Sequence, residues 1–127
     1  MKEPLWIDER DALALHDRLL ALAGGAGGVR DATLLKSALA RPRQLHAYAE
    51  KADILDRAAA YISAIIRNHP FLDGNKRTGF LVGILFLEIN GHRFMASEED
   101  ATQVIMRLAA RSLNEKDFVK WLRGNTK

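Results

Sequence analysis

The sequence predicts an all-α protein, a compact bundle of about six helices around a central buried pair. Apolar residues recur at helical spacing along most of the 127 residues, and the alternation typical of strands is weak throughout. Only three prolines, at positions 4, 42 and 70, interrupt this pattern. The length is that of one domain, so we expect residues 1–127 to form a single domain.

Polar caps and prolines predict the limits of the first two helices. Asp8 is a candidate N-cap for the first helix, and the glycine run at 24–28 ends it. A second helix is predicted from 32 to about 40, because Pro42 is expected to stop it. The basic residues of 41–52 are then expected to form an irregular connector.

The remaining helices follow from the same signals. Asp53 caps a third helix over 54 to about 68, and a fourth runs from 75 to about 90. Both are apolar over most of their circumference, which is typical of buried helices, so they form the predicted central pair. Ser97 opens a fifth helix with a capping-box pattern, and Asn114 opens a sixth.

Composition excludes several classes of protein. The sequence has no cysteine, which rules out disulfide scaffolds, cysteine-ligated zinc, iron–sulfur clusters and a cysteine nucleophile. A net charge of +3 permits a phosphate-bearing ligand but does not indicate direct nucleic-acid binding. The charged N-terminus does not resemble a signal peptide, and the longest apolar run, at 79–87, is far below the ~20 residues of a membrane span. We therefore expect a soluble, cytoplasmic protein that contacts no membrane.

Two features look functional but are not predicted to be. The glycine run is followed by Val29 and Arg30 rather than the lysine and hydroxyl residue of a phosphate-binding loop, so we interpret it as a flexible turn. The four histidines, at 16, 46, 69 and 92, lack the spacing of a zinc site. His16 is expected at the surface or boundary of the first helix.

Residues 69–79, HPFLDGNKRTG, carry the chemistry that the sequence offers. They join the two buried helices, and the second helix starts at Gly74, Asn75, Lys76 and Arg77. Two cations in a first turn oppose the helix dipole by about a few tenths of a kcal/mol. A bound anion would explain them, since the free N–H groups, the Asn75 amide and both cations would face it.

The other side chains of this segment suit phosphate chemistry. Asp73 is a candidate Mg²⁺ ligand beside a phosphate, and His69 is a candidate base for a hydroxyl proton. Phe71 is expected to fill the core and fix the loop. The alternative is a plain helical corner in which Asp73 is the N-cap and the basic residues are merely solvated. The joint presence of base, carboxylate, glycine, amide and two cations favours a phosphate-handling site.

This segment resembles the signature of the Fic/Doc superfamily, H-x-F-x-[DE]-G-N-x-R. Upstream, GVRD at 28–31 and SALARP at 37–42 are similar to the death-on-curing (Doc) branch, and Asn90-Gly91 also fits. The resemblance covers nearly the whole chain and implies a Fic-like helical fold in a single Fic/Doc domain. The Doc branch implies a toxin that uses ATP and Mg²⁺ to phosphorylate a threonine of translation elongation factor Tu, which arrests protein synthesis.

The resemblance also implies roles for individual residues. By this resemblance His69 is the base, and Asp73 holds Mg²⁺ and takes part in catalysis. The anion cradle consists of Gly74, Asn75, Lys76 and Arg77, of which Lys76 and Arg77 are also catalytic. AMP-transferring relatives have a glycine in place of Lys76 and a second arginine in place of Phe80. Kinase activity is therefore favoured over AMP or other nucleotide transfer. A further alternative is a non-catalytic co-regulator that binds an antitoxin, the partner protein that restrains a toxin of this kind.

A partner chain is expected to restrain the toxin. Many relatives carry an inhibitory [ST]-x-x-x-E-[GN] helix, and no serine or threonine here has a glutamate four residues later. The Doc branch implies a Phd-like antitoxin whose disordered tail folds on the toxin. The apolar side chains of the sixth helix either line a groove or belong to the core, and the core is favoured; they are Phe118, Trp121 and Leu122.

Overall fold

The computed structural model describes residues 3–48 and 51–127. These residues form helices joined by turns and two isolated β-bridges, which confirms the all-α prediction. The helices are α1 (Glu9–Ala23), α2 (Ala32–Tyr48), α3 (Ile54–Asn68), α4 (Asn75–Ile89), α5 (Glu98–Ala109) and α6 (Glu115–Gly124). No helix in the described parts of the chain is long and apolar enough to cross a membrane.

Helices α3 and α4 form the centre of the bundle, as predicted. α3 packs against α2, α4, α5 and α6, and its Leu55 and residues 57–65 are buried. Two glycines allow α4 to approach it closely. A Cβ atom at Gly79 would lie 3.2 Å from the carbonyl oxygen of Ile62, and one at Gly83 would overlap the Ile62 side chain. The close packing of this pair fixes the loop that joins the two helices.

Helix α2 is longer than predicted. It continues through Pro42 to residue 48, so the predicted end near 40 is wrong, as is most of the predicted connector; residues 49 and 50 lie outside the described residues. A proline inside a helix costs about 3 kcal/mol. Here Pro42 is buried, the helix packs along α3, and Arg41 donates two hydrogen bonds to Glu115 at 2.8 and 2.9 Å. This packing offsets the cost of the proline.

Side-chain caps start five of the six described helices at the positions that the sequence predicts. At α2, Oδ1 of Asp31 accepts the N–H of Leu34 at 3.0 Å. Asp8 and Asp53 form complete capping boxes at α1 and α3. The Ser97 hydroxyl accepts the N–H of Asp100 at 3.1 Å, which is one half of the predicted box, and Asn114 caps α6. The start of α4 is the exception, because it has no side-chain cap.

The segment between α4 and α5 contacts the residues that follow α6. The segment around Phe94 is extended. Phe94 pairs with Thr126 in an isolated β-bridge, and the N–H of Met95 donates to the carbonyl of Asn125 at 2.7 Å. In α6, Phe118 is fully buried, and Trp121 stacks on it. This confirms that the apolar side chains of α6 belong to the core.

Arg123 links α6 to the start of α3. Its Nη1 donates to Oδ2 of Asp53 at 2.6 Å, while Oδ1 of Asp53 accepts the N–H groups of Leu55 and Asp56. Partial burial acts to raise the pKa of Asp53, but the hydrogen bonds from Arg123 and Asp56 outweigh burial and lower that pKa from its ordinary 3.8 to about 2.

We expect Arg123→Ala to lower the free energy of unfolding by about 0.5–1 kcal/mol near neutral pH, since both partners remain partly exposed. Because the Asp53 pKa is lower in the folded chain, this stabilisation is present above about pH 4 and is lost as the pH falls toward about 2. Urea unfolding midpoints at about pH 6 and about pH 2.5 check the prediction. A gap between the two proteins that is equal at both pH values would contradict it.

Candidate active site

His69 ends α3 and starts the loop to α4. Its backbone is left-handed, with φ 53° and ψ 51°, and its N–H donates to the carbonyl of Ile65 at 3.1 Å. The Arg30 guanidinium donates to the carbonyl of His69 at 2.7 Å and to that of Asn68 at 2.9 Å. The backbone of His69 is therefore held from both sides, while its imidazole is exposed.

The segment 28–31 runs beside the loop and binds it through backbone hydrogen bonds. The N–H groups of Arg30 and Asp31 both donate to the carbonyl of Pro70, at 2.7 and 3.0 Å. The N–H of Leu72 donates to the carbonyl of Gly28 at 3.1 Å. In the sequence, residues 28–31 resembled the Doc branch but had no predicted role. In the structure, their hydrogen bonds hold the loop in place.

Phe71 anchors the middle of the loop. It is fully buried, as predicted. The Asn75 side chain holds its backbone on both sides, because Oδ1 accepts the N–H of Phe71 at 2.9 Å and Nδ2 donates to its carbonyl at 3.0 Å. The amide that the sequence offered to an anion is thus engaged with Phe71. The backbone N–H of Asn75, in the first turn of α4, has no partner within the helix and faces a ligand instead.

The N-terminus of α4 is open. Gly74 is the N-cap residue, with φ 79° and ψ 19°, a left-handed conformation that favours glycine. Asp73 does not cap the helix; its Oδ1 accepts only the neighbouring Gly74 N–H, at 2.8 Å. The first turn contains no acidic residue and carries Lys76 and Arg77. Because the first N–H groups of a helix lack partners within it, this end has a positive potential.

A cavity of about 290 Å³ lies over this helix end. Helix α1 supplies its other wall through residues that include Leu19, Leu20 and Ala23. All the side chains and backbone positions predicted for the site line it: His69, Asp73, Gly74, Asn75, Lys76 and Arg77. Lys76 and Arg77 also line a second groove of about 650 Å³ between α4 and α5. The site is open to solvent, because most of the side chains that line it on the loop and in α4 are exposed.

Asp73 is the carboxylate available to a metal ion in this cavity. The described residues contain no group of three or more histidine, cysteine, aspartate or glutamate side chains that could hold a metal. Asp73 is exposed, and its Oδ1 is engaged by Gly74. One carboxylate suits Mg²⁺, which takes its other ligands from water and phosphate oxygens. The donor set thus fits a metal ion that binds together with a phosphate ligand.

The glycine run lies against the site, which the interpretation as a flexible turn did not predict. Gly25 has φ +120°, and a Cβ atom there would lie 2.7 Å from Oδ2 of Asp73. The backbone of Gly25 therefore lies directly against the carboxylate. The signal in the sequence was the glycine itself, since glycine allows a close approach as well as a turn.

The prediction that His16 lies at the surface or boundary of α1 is wrong. The residue is 1% exposed, and its Nε2 lies 2.8 Å from the carbonyl oxygen of Asp73. Its ring stacks on Phe71 with centroids 3.9 Å apart and planes at 10°. His16 lies one turn after Ala12, which is also fully buried, whereas Leu22 is 82% exposed. The position of Ala12 was a signal for the buried face of α1 that the leucines obscured.

A helical bundle with this loop and an open, basic helix end has the arrangement expected of a Fic-type protein. The Fic/DOC family model matches residues 6–87, which include α1 to α3 and most of α4. The chain belongs to the Fic/DOC family.

Two proteins of known name are similar to this chain. The chain is 34% identical over 93 residues to the protein kinase doc of Escherichia phage P1, which is 73% of this chain and 74% of that protein. It is 44% identical over 75 residues to the toxin Doc of Mycolicibacterium smegmatis, which is 58% of this chain and 57% of that protein. The match to the mycobacterial toxin thus spans little more than half of either protein.

Proposed function

We propose that the chain is a Doc-type toxin that acts as an ATP-dependent protein kinase and phosphorylates a threonine of translation elongation factor Tu. One observation carries the proposal: the open N-terminus of α4, with Lys76 and Arg77 in its first turn, shares a cavity with the exposed imidazole of His69. The names of the relatives, a protein kinase and a toxin, support the same reaction and outcome. Phosphorylation of the factor would arrest protein synthesis.

The proposed reaction uses His69 as the base. The target hydroxyl oxygen attacks the γ-phosphorus of ATP, the bond from that phosphorus to the bridging oxygen breaks, and ADP leaves. The imidazole of His69 takes the hydroxyl proton. Because Arg30 and Ile65 hold only the backbone of His69, the ring is exposed toward an incoming hydroxyl.

The phosphate groups would lie against the start of α4. The backbone N–H groups of Asn75, Lys76 and Arg77 and the two cationic side chains would bind the phosphate oxygens. Asp73 would hold Mg²⁺, which when bound neutralises phosphate charge. Phosphoryl transfer depends mainly on such positioning and charge stabilisation.

Phe80 supports phosphate transfer over AMP transfer. AMP-transferring relatives carry an arginine here, whereas this Phe80 packs edge-to-face on Phe94 with ring centroids 5.5 Å apart. No guanidinium is available at that position to bind a second phosphate. Lys76, which replaces a glycine of those relatives, projects from the exposed first turn.

Labelled ATP tests the reaction directly. The chain is incubated with bacterial elongation factor Tu, Mg²⁺ and ATP labelled at either the α- or the γ-phosphate. We expect label on a threonine of the factor from γ-labelled ATP only. Label from both forms would establish nucleotide transfer instead, and label from neither would contradict elongation factor Tu as the substrate.

A Phd-like antitoxin is the proposed restraint on the toxin. The sequence contains no serine or threonine followed four residues later by glutamate, so the inhibitory helix of many relatives is not found in this chain. Restraint by a separate chain explains this. We expect growth to arrest when the chain is expressed alone and to resume when a Phd-like antitoxin is expressed with it. Growth that continues without the antitoxin would contradict the toxin assignment.

A further inference from the structure

His16 is a buried titratable side chain that the proposed reaction does not use. It belongs to α1, yet its Nε2 lies 2.8 Å from the carbonyl oxygen of Asp73, 57 residues away. A carbonyl oxygen can only accept a hydrogen bond, so Nε2 must carry the proton. A side chain of α1 therefore donates a hydrogen bond to the backbone of the loop that precedes α4.

The ring of His16 also contacts the other end of this loop. It stacks on Phe71 at 3.9 Å, and the backbone of Phe71 is itself bound on both sides by the Asn75 side chain. His16 thus holds residues 71 and 73 at the same time, one by its face and one by its edge. The two contacts have different chemistry, so substitution can separate them.

The hydrogen bond controls the peptide between Asp73 and Gly74. The carbonyl of this peptide is bound by His16, and its N–H is bound by Oδ1 of Asp73 at 2.8 Å. Because a peptide group is planar, these two bonds set its orientation. That orientation determines where the Asp73 carboxylate lies and how the N–H groups of α4 face the cavity.

We propose that His16 is a positioning residue for the phosphate site. Its Nε2–H orients the Asp73–Gly74 peptide and, through it, the carboxylate of Asp73 and the N-terminus of α4. The inference rests on the proposed function only in that Mg²⁺-bound ATP is taken as the ligand. The effect on the loop itself is independent of any ligand.

Two substitutions separate positioning from packing. His16→Phe keeps a flat ring on Phe71 but removes the donor. His16→Gln keeps an N–H donor at a similar reach but removes the ring. If His16 acts by positioning, His16→Phe is the damaging change and His16→Gln is tolerated; if it acts only by packing, the order is reversed.

Hydrogen exchange of the ligand-free protein is the first measurement. The N–H groups of Phe71 and Leu72 report on the loop, because they donate to Asn75 and to the carbonyl of Gly28. We expect their exchange to be about tenfold faster in His16→Phe and within about threefold of the parent in His16→Gln. The N–H of Phe118 in α6, which donates to the carbonyl of Asn114, is the internal control and should not change.

The second measurement is the binding of ATP in the presence of Mg²⁺, followed by calorimetry. We expect the affinity to fall about tenfold or more in His16→Phe and to stay within about threefold of the parent in His16→Gln. Circular dichroism and urea unfolding verify that each variant is folded. Should His16→Phe not fold, His16→Met, with a flexible apolar side chain of similar length, takes its place in both measurements.

The outcomes distinguish this inference from the proposed function. Normal loop exchange and normal ATP affinity in the donor-free variant, with defects in His16→Gln, would overturn the positioning role. A parent protein that binds no ATP, together with fast loop exchange in His16→Phe, would uphold the positioning role while the kinase proposal fails.

Discussion

Replacing His69 with asparagine is expected to lower the rate of phosphate transfer by a factor of about 10²–10⁴, the usual contribution of a general base. The folded chain should keep its stability. The imidazole is exposed, and the hydrogen bonds at this residue involve only its backbone. Asparagine tolerates the left-handed conformation of position 69 better than other substitutes apart from glycine, so the loop should not change.

The measurement is the transfer rate from γ-labelled ATP at saturating Mg²⁺, with urea unfolding of the same samples. His92→Asn is the matched control, since His92 follows the far end of α4, about 20 Å from its start. We expect this control to retain the parent rate. A His69→Asn protein that transfers phosphate at more than about a tenth of the parent rate would exclude His69 as the base.

Local signals account for the parts of the fold that the sequence predicted. The capping box of Asp53 and Asp56 lies within four residues, and α3 begins directly after Asp53. The extension of α2 had no such local signal. It depends on Arg41 binding Glu115, 74 residues later, and on the burial of Pro42. Tertiary packing of this kind overrides the ordinary effect of proline and cannot be read from neighbouring residues.

The same distinction holds for the site. The residues from His69 to Arg77 are contiguous, so a loop between two packed helices necessarily brings them together. His16 and Arg30 bind this loop from 57 and 39 residues away, and sequence spacing carries no record of that. The residue type misled as well, because a histidine on an amphipathic helix is more often exposed than buried. Side chains that support a site are thus harder to predict than side chains that form it.

The substitution Gly25→Ala is expected to reduce the kcat/KM for phosphate transfer by about 10², because small displacements of a catalytic group have effects of this size. The φ of +120° disfavours any residue with a Cβ, and the new methyl would lie 2.7 Å from Oδ2 of Asp73 and 3.1 Å from the Leu20 side chain. Either the glycine run or the carboxylate must move. Since Asp73 is the proposed Mg²⁺ ligand, the Mg²⁺ concentration for half-maximal rate should also rise.

Two control variants separate the contact between residue 25 and Asp73 from the effects of an added methyl group and of backbone strain. Initial rates over a Mg²⁺ titration are measured for all three variants. Gly27→Ala adds a methyl to the same run, where it meets only a Leu20 carbon at 3.8 Å, so its rate should match the parent. Gly91→Ala has a similar backbone strain, with φ +87°, but no atom within 4 Å, so it should lose stability without losing activity. If Gly25→Ala were as active as Gly27→Ala at low Mg²⁺, the glycine run would have no part in placing Asp73. A defect confined to Gly25→Ala would instead mean that this turn, like the 69–79 loop, belongs to the site.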